Sequence, residues 1–195
     1  MYRIFLAFVD VIPVAVVLLP LFCVLHFTAF HRYLRKSVLY GLFCLYVSAV
    51  FSLVGIPNVT YFRPEMNLNL IPFAGMIADL KNSLLNVALF VPLGFFLPVM
   101  WQRFRKGSVC VFFGFGLSLA IELLQMLTFR ATDVNDLITN VCGTMLGFLL
   151  TKPLFGVLPA VEDGKISVYL LSSLSFCVMF FIHPFLSPLI WDRIL

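Results

Sequence analysis

Charge is what this sequence has least of. Only 11% of its 195 residues are Asp, Glu, Lys or Arg, while 62% are hydrophobic and the mean hydropathy is +1.08. A soluble domain carries about 25% charged residues, so the composition excludes an ordinary water-soluble globule and leaves lipid as the medium. The net charge of +4 is spread over short connections, which argues against nucleic acid as a partner, since that needs basic residues gathered on one face. Cysteine offers no framework. Cys23, Cys44, Cys110, Cys142 and Cys177 each sit inside an apolar run, with no CxxC pair, and they read as small buried hydrophobes rather than disulfides or thiolate metal ligands. Catalytic signatures are missing as well. HExxH, GxSxG, a P-loop, and Ser-Lys or Cys-His constellations do not occur, so no cofactor, metal or catalytic residue is assigned. The two halves do not repeat one pattern, as many secondary transporters do.

What is present is a series of long apolar runs, at roughly 5–30, 38–57, 83–101, 108–128, 137–157 and 166–190. Crossing the hydrocarbon takes about 20 residues of helix. The expected architecture is therefore all-α: a polytopic membrane helix bundle of about six transmembrane helices, a single membrane domain over 1–195. The first run reads as a retained helix, because it is too long for a signal peptide and only Arg3 precedes it. Pro184 and Pro188 interrupt the last run, which neighbouring groups can accommodate. In the 58–82 connection, Phe73, Met76, Ile77 and Leu80 recur at helical spacing around Asp79 and Lys81, behind Pro72. That pattern predicts a short interfacial helix.

Lys and Arg accumulate on the cytoplasmic side of a membrane protein. Connections 31–36, 102–107 and 152–165 hold eight of them, Arg32, Arg35, Lys36, Arg103, Arg105, Lys106, Lys152 and Lys165. The other side holds five, Arg3, Arg63, Lys81, Arg130 and Arg193. The first set is expected in the cytoplasm, which puts both termini and the connections 58–82 and 129–136 outside.

Polar residues inside the runs form stripes. The third run has Asn82 and Asn86, the fourth Ser118, Glu122 and Gln125, and the fifth Asp133, Asp136, Asn140, Gly143 and Gly147, each set on one helix face. All three stripes reach the same outer third of the bilayer, which predicts one outward-facing polar cleft. Most members also have a plainly structural use. Asp133 and Asp136 suit a helix cap after Thr132, Gly143 and Gly147 form a GxxxG packing pair, and Asn86 and Asn140 suit interhelical hydrogen bonds. Glu122 resists that treatment, because a carboxyl at its depth must be paired, hydrated or protonated; Arg130 is the nearest cation in sequence. The candidate ligand-binding set is Asn86, Glu122, Gln125, Asp133, Asp136 and Asn140. Asp10 reads as interfacial and His183 as packing.

Four pieces occur in order: NLIPF (69–73), N-x3-F-x-P-x-G (86–94), S-x3-E-x2-Q (118–125) and R-x2-D-x2-D-x3-N-x2-G-x3-G (130–147). Together they resemble the VanZ-like family over residues 60–152. The resemblance implies a bacterial cytoplasmic-membrane protein and, from the family's founding member, low-level resistance to the lipoglycopeptide teicoplanin. The motif residues it carries over are Asn86, Pro92, Gly94, Glu122, Gln125, Asp133, Asp136, Asn140 and Gly143. Two functions follow as expectations. One is an envelope-protective protein whose partners are membrane lipids and a lipoglycopeptide or lipid-linked cell-wall component. The other is an intramembrane enzyme acting on an envelope lipid, with Glu122 as general acid or base and Asp133 with Asp136 holding a divalent cation. A conductor is disfavoured, because the acids collect at one end.

Overall fold

The computed structural model describes residues 2–28, 30, 33–61, 64, 68–73, 76, 79–128, 132–161 and 166–194. Lipid offers a backbone no hydrogen-bond partner, so each apolar run closes its own N–H and C=O groups as a helix. The helices are α1 (Tyr2–Thr28), α2 (Leu34–Val54), α3 (Leu80–Met100), α4 (Gly107–Gln125), α5 (Val134–Thr151), α6 (Val168–Cys177) and α7 (His183–Ile194). The π-helical turn Val178–Ile182 joins α6 and α7 into one span. Among the described residues six helices are long and apolar enough to cross a membrane, as expected, within an all-α fold. Its extended pieces are minimal: β1 (Leu68–Asn69) pairs in parallel with β2 (Thr132–Asp133). Of the short helix expected behind Pro72, Ile77 lies outside the described residues. Pro72, Phe73, Met76 and Asp79 stand in turns, and regular helix begins at Leu80.

The chain divides into two compact units, residues 1–63 with 163–195, and residues 64–162. In the first, α1 and α2 pack as a hairpin around Val14, Leu18, Phe30, Tyr40 and Phe43, all at most 1% exposed. Polar groups bind α2 to α6: Ser175 Oγ donates to Cys44 O (3.2 Å), and Cys44 Sγ to Leu171 O (3.7 Å). The irregular last span has an identifiable cause. Pro184 has no N–H to give the carbonyl of Phe180, one helical turn earlier, and the amide of Val59 takes that carbonyl instead (3.2 Å). Asp10 is tied nearby, accepting from Ser52 Oγ (2.8 Å), with His183 Nε2 at 3.6 Å.

The second unit is built on α3 against α5. Their backbones meet where one of the two helices carries a glycine. A Cβ on Gly94 would strike Thr144 O, one on Gly147 would strike Val91 O, and one on Gly143 would strike Val87 O. Partners rise together along both helices, so α3 and α5 run parallel and begin at the same end of the unit. Gly143 and Gly147 therefore serve the close packing that a GxxxG pair permits. Thr139, Thr144 and Thr151 spend their hydroxyls on carbonyls one turn back (2.7–3.0 Å). At the opposite end, Arg105 lies over the Phe155 ring and donates to Pro98 O (3.3 Å), Phe155 O (3.0 Å) and Leu158 O.

Gly94→Ala and Gly147→Ala are expected to destabilise the protein by about 2 kcal/mol or more, because backbone cannot give way as a flexible side chain can. Gly116→Ala is the control, since nothing lies within 4 Å of its would-be Cβ. Thermal melting in detergent should separate the two from the third; equal midpoints for all would show that the α3–α5 contact tolerates an added methyl group.

Candidate functional site

The parallel course of α3 and α5 brings their N-terminal ends together, and the polar residues of the long connection gather there. Asp133 ends β2 and caps α5, its Oδ1 accepting from Asn135 N (2.8 Å). Its other oxygen accepts from Asn69 Nδ2 (3.1 Å), the residue it faces in the strand pair. Asn135 is 4% exposed, and its Oδ1 accepts from Phe73 N (2.6 Å). At the start of α3, Asn82 Nδ2 donates to Asp79 Oδ2 (2.5 Å), and Ser83 Oγ to Asp79 O (3.2 Å). Between these groups lies a cavity of about 250 Å³, lined by Asn69, Met76, Asp79, Asn82, Ser83, Asp133, Asn135 and Asp136.

Three carboxylates and three amides line this cavity, with no cation among the described lining residues, and oxygens of this kind can accept from positive or hydroxyl-bearing groups. The positive ends of two helix macrodipoles lie beside the acids and offset part of their mutual repulsion. Among the described residues no three His, Cys, Asp or Glu side chains come together as a metal-binding group. Within those residues Asp133 and Asp136 have no third such side chain grouped with them for the divalent cation that the enzyme reading places between them.

The six candidates from the sequence fall into three places. Asp133 and Asp136 line the cavity. Glu122 and Gln125 are buried on α4, at 3% and 5% exposure, and Asn140 is buried on α5 at 3%. Asn86 is half-buried on α3, one turn beyond Asn82. Glu122 sits behind the cavity wall: its Oε2 accepts from Asp133 N (3.0 Å) and its main-chain oxygen from Thr132 Oγ1 (3.1 Å). The carboxylate therefore sets the path of β2 into α5. Arg130, the cation expected beside it, lies outside the described residues. Asn140 Nδ2 donates to Ser118 Oγ (2.9 Å), which makes it the interhelical link its stripe allowed, while its Oδ1 is buried with no partner among the described residues. Sequence reasoning passed over Asn69, Asp79, Ser83 and Asn135 as site residues. The signal for Asp79 was its place at the head of a span, three residues before Asn82; that for Asn135 was its place between two acids at a helix start.

Glu122→Ala should cost about 1–3 kcal/mol, because it leaves the Asp133 amide without its buried acceptor. Glu122→Gln keeps an acceptor oxygen and should melt close to the parent. If both variants melt alike, the hydrogen bond to Asp133 does not position this segment.

Comparison with known proteins agrees with the motif. The sequence profile described as VanZ/LLP1 matches residues 37–156, beginning within α2 and ending after α5. Protein VanZ of Enterococcus faecium is 35% identical over 89 residues, which cover 44% of this chain and 53% of that protein. The chain thus spans about half the length of this curated relative. No solved structure matches. A profile match over more than half of the chain, on a bundle of six apolar spans, makes this multi-pass membrane protein a member of the VanZ/LLP1 family.

Proposed function

We propose that this protein protects the bacterial envelope by engaging an amphiphile, a lipoglycopeptide or a lipid-linked wall component, in the acidic cavity at the head of α3 and α5. The single observation that carries the reading is the cavity's make-up. Asp79, Asn82, Asp133, Asn135 and Asp136 lie at the heads of two membrane spans, with Asn69 paired to Asp133, where a polar head group can reach acids while its chain stays in lipid. The excess of Lys and Arg on connections 31–36, 102–107 and 152–165 supports an orientation with this cavity and both termini facing outward. Membership of the family of Protein VanZ supports low-level resistance to teicoplanin as the phenotype.

Teicoplanin carries an acyl chain, and each buried methylene adds about 0.8 kcal/mol of membrane affinity. The chain concentrates the drug at the depth of the cavity, whereas vancomycin, lacking it, arrives only from water. Expression in a susceptible Gram-positive host is therefore expected to raise tolerance to teicoplanin more than to vancomycin. Asp133→Asn with Asp136→Asn should abolish the difference at unchanged membrane abundance. Equal protection against both drugs would replace the cavity with a general envelope effect, and no protection would remove the reading. Orientation is checked separately by single cysteines in a Cys-free background. A cysteine at Tyr61 should label from outside intact cells, and one at Arg103 should not.

A further inference from the structure

Between two cavity-lining residues, Asn69 and Met76, the chain turns through Leu70, Ile71, Pro72 and Phe73. Leu70, Ile71 and Phe73 are 66–67% exposed, although none belongs to a membrane span. Thirteen successive residues, 66–78, carry no charge. The level of this turn is set by α5. Asn69 pairs with Asp133, the residue just before the fifth span, and Phe73 N bonds to Asn135, the second residue of that span. Both anchors lie where a span begins, so three exposed apolar side chains are held at the edge of the hydrocarbon.

The turn is built for that placement. Phe73 has φ 63°, a left-handed conformation that a bulky residue adopts only when its surroundings impose it. The imposing contact is the 2.6 Å hydrogen bond to Asn135 Oδ1, from a side chain 4% exposed and so fixed itself. Strain has thus been accepted at a residue whose ring turns away from the protein. A water-facing loop gains nothing from that arrangement, while a loop meeting lipid buries the ring.

We infer that Leu70–Phe73 is a lip seated in the head-group boundary of the bilayer and positioned by Asn135. The cavity beside it then takes its ligand from the membrane surface rather than from bulk water; this second part rests on the amphiphile reading above. The lip is a lipid-binding surface, and Asn135 is a positioning residue.

The test uses the full chain in liposomes, with an environment-sensitive fluorophore on a single cysteine at Ile71. Lipids carrying a shallow doxyl group and aqueous iodide serve as competing quenchers. Stronger quenching by the doxyl lipid than by iodide is expected. Stronger quenching by iodide would overturn the lip. In the same background, Asn135→Ala should shift the label toward iodide, and Asn135→Asp, which keeps the acceptor oxygen, should not. A label unmoved by Asn135→Ala would overturn the positioning role. A second label at Leu84, exposed on α3 within its span, reports in each variant that the unit is still inserted. Since no drug enters this experiment, its failure leaves the drug reading standing, and a failed drug series leaves the lip standing.

Discussion

Two helices entering a membrane from the same side bring their backbones into contact where one of them lacks a side chain. α3 and α5 do this at Gly94, Gly143 and Gly147, and the rest of the second unit depends on that contact. It holds two N-terminal ends side by side, so Asp79 and Asn82 of one face Asp133 and Asp136 of the other across a single cavity. Two macrodipoles point their positive ends at the same place, which offsets part of the repulsion among the three carboxylates gathered there. Widening the helix pair by a methyl group would separate the two halves of the site before touching any of its residues.

Polar groups are costly at membrane depth, and this chain gives most of them a structural task. Three threonines of α5 return their hydroxyls to their own helix. Ser118 and Asn140 bind α4 to α5. Glu122 accepts the amide that leads into the fifth span. In the first unit, Val59 supplies the donor that Pro184 lacks. The pattern separates two kinds of polar residue. Those deep in the bundle hold main chain in place, and those at the first turns of α3 and α5 border the cavity.

This separation also explains how the long connection is shaped. A segment with no charge over 66–78 has little to hold it in water, yet it meets the bundle at two defined points, Asn69 on Asp133 and Phe73 on Asn135. Both bonds use the capping region of α5, where main-chain and side-chain donors and acceptors are left over from the helix. The helix start therefore does two things at once: it ends the strand pair and fixes the turn at Phe73.

The number and approximate positions of the spans were legible in the sequence, because lipid forces every apolar run of sufficient length into a helix whatever its neighbours are; the helices α2, α3 and α5 begin a few residues before their apolar runs. The stripe on α4 was legible for the same reason: residues three and four apart must share a face, and Ser118, Glu122 and Gln125 are indeed buried together. Depth alone, however, does not distinguish a residue that lines a cavity from one that stands behind its wall. Asp133 and Asp136 border the cavity, while Glu122, Gln125 and Asn140 at similar depth are buried in the bundle. That division depends on the azimuth at which α4 meets α5 and on the pairing of Leu68–Asn69 with Thr132–Asp133 across more than sixty residues of chain. No periodicity encodes a pairing of two residues with two. Helical spacing behind Pro72 suggested one regular element, but φ at Phe73 is set by a hydrogen bond to Asn135, sixty-two residues away. Local pattern determined which segments cross the membrane and which of their faces are polar; long-range hydrogen bonds and three glycine contacts decided which polar residues meet.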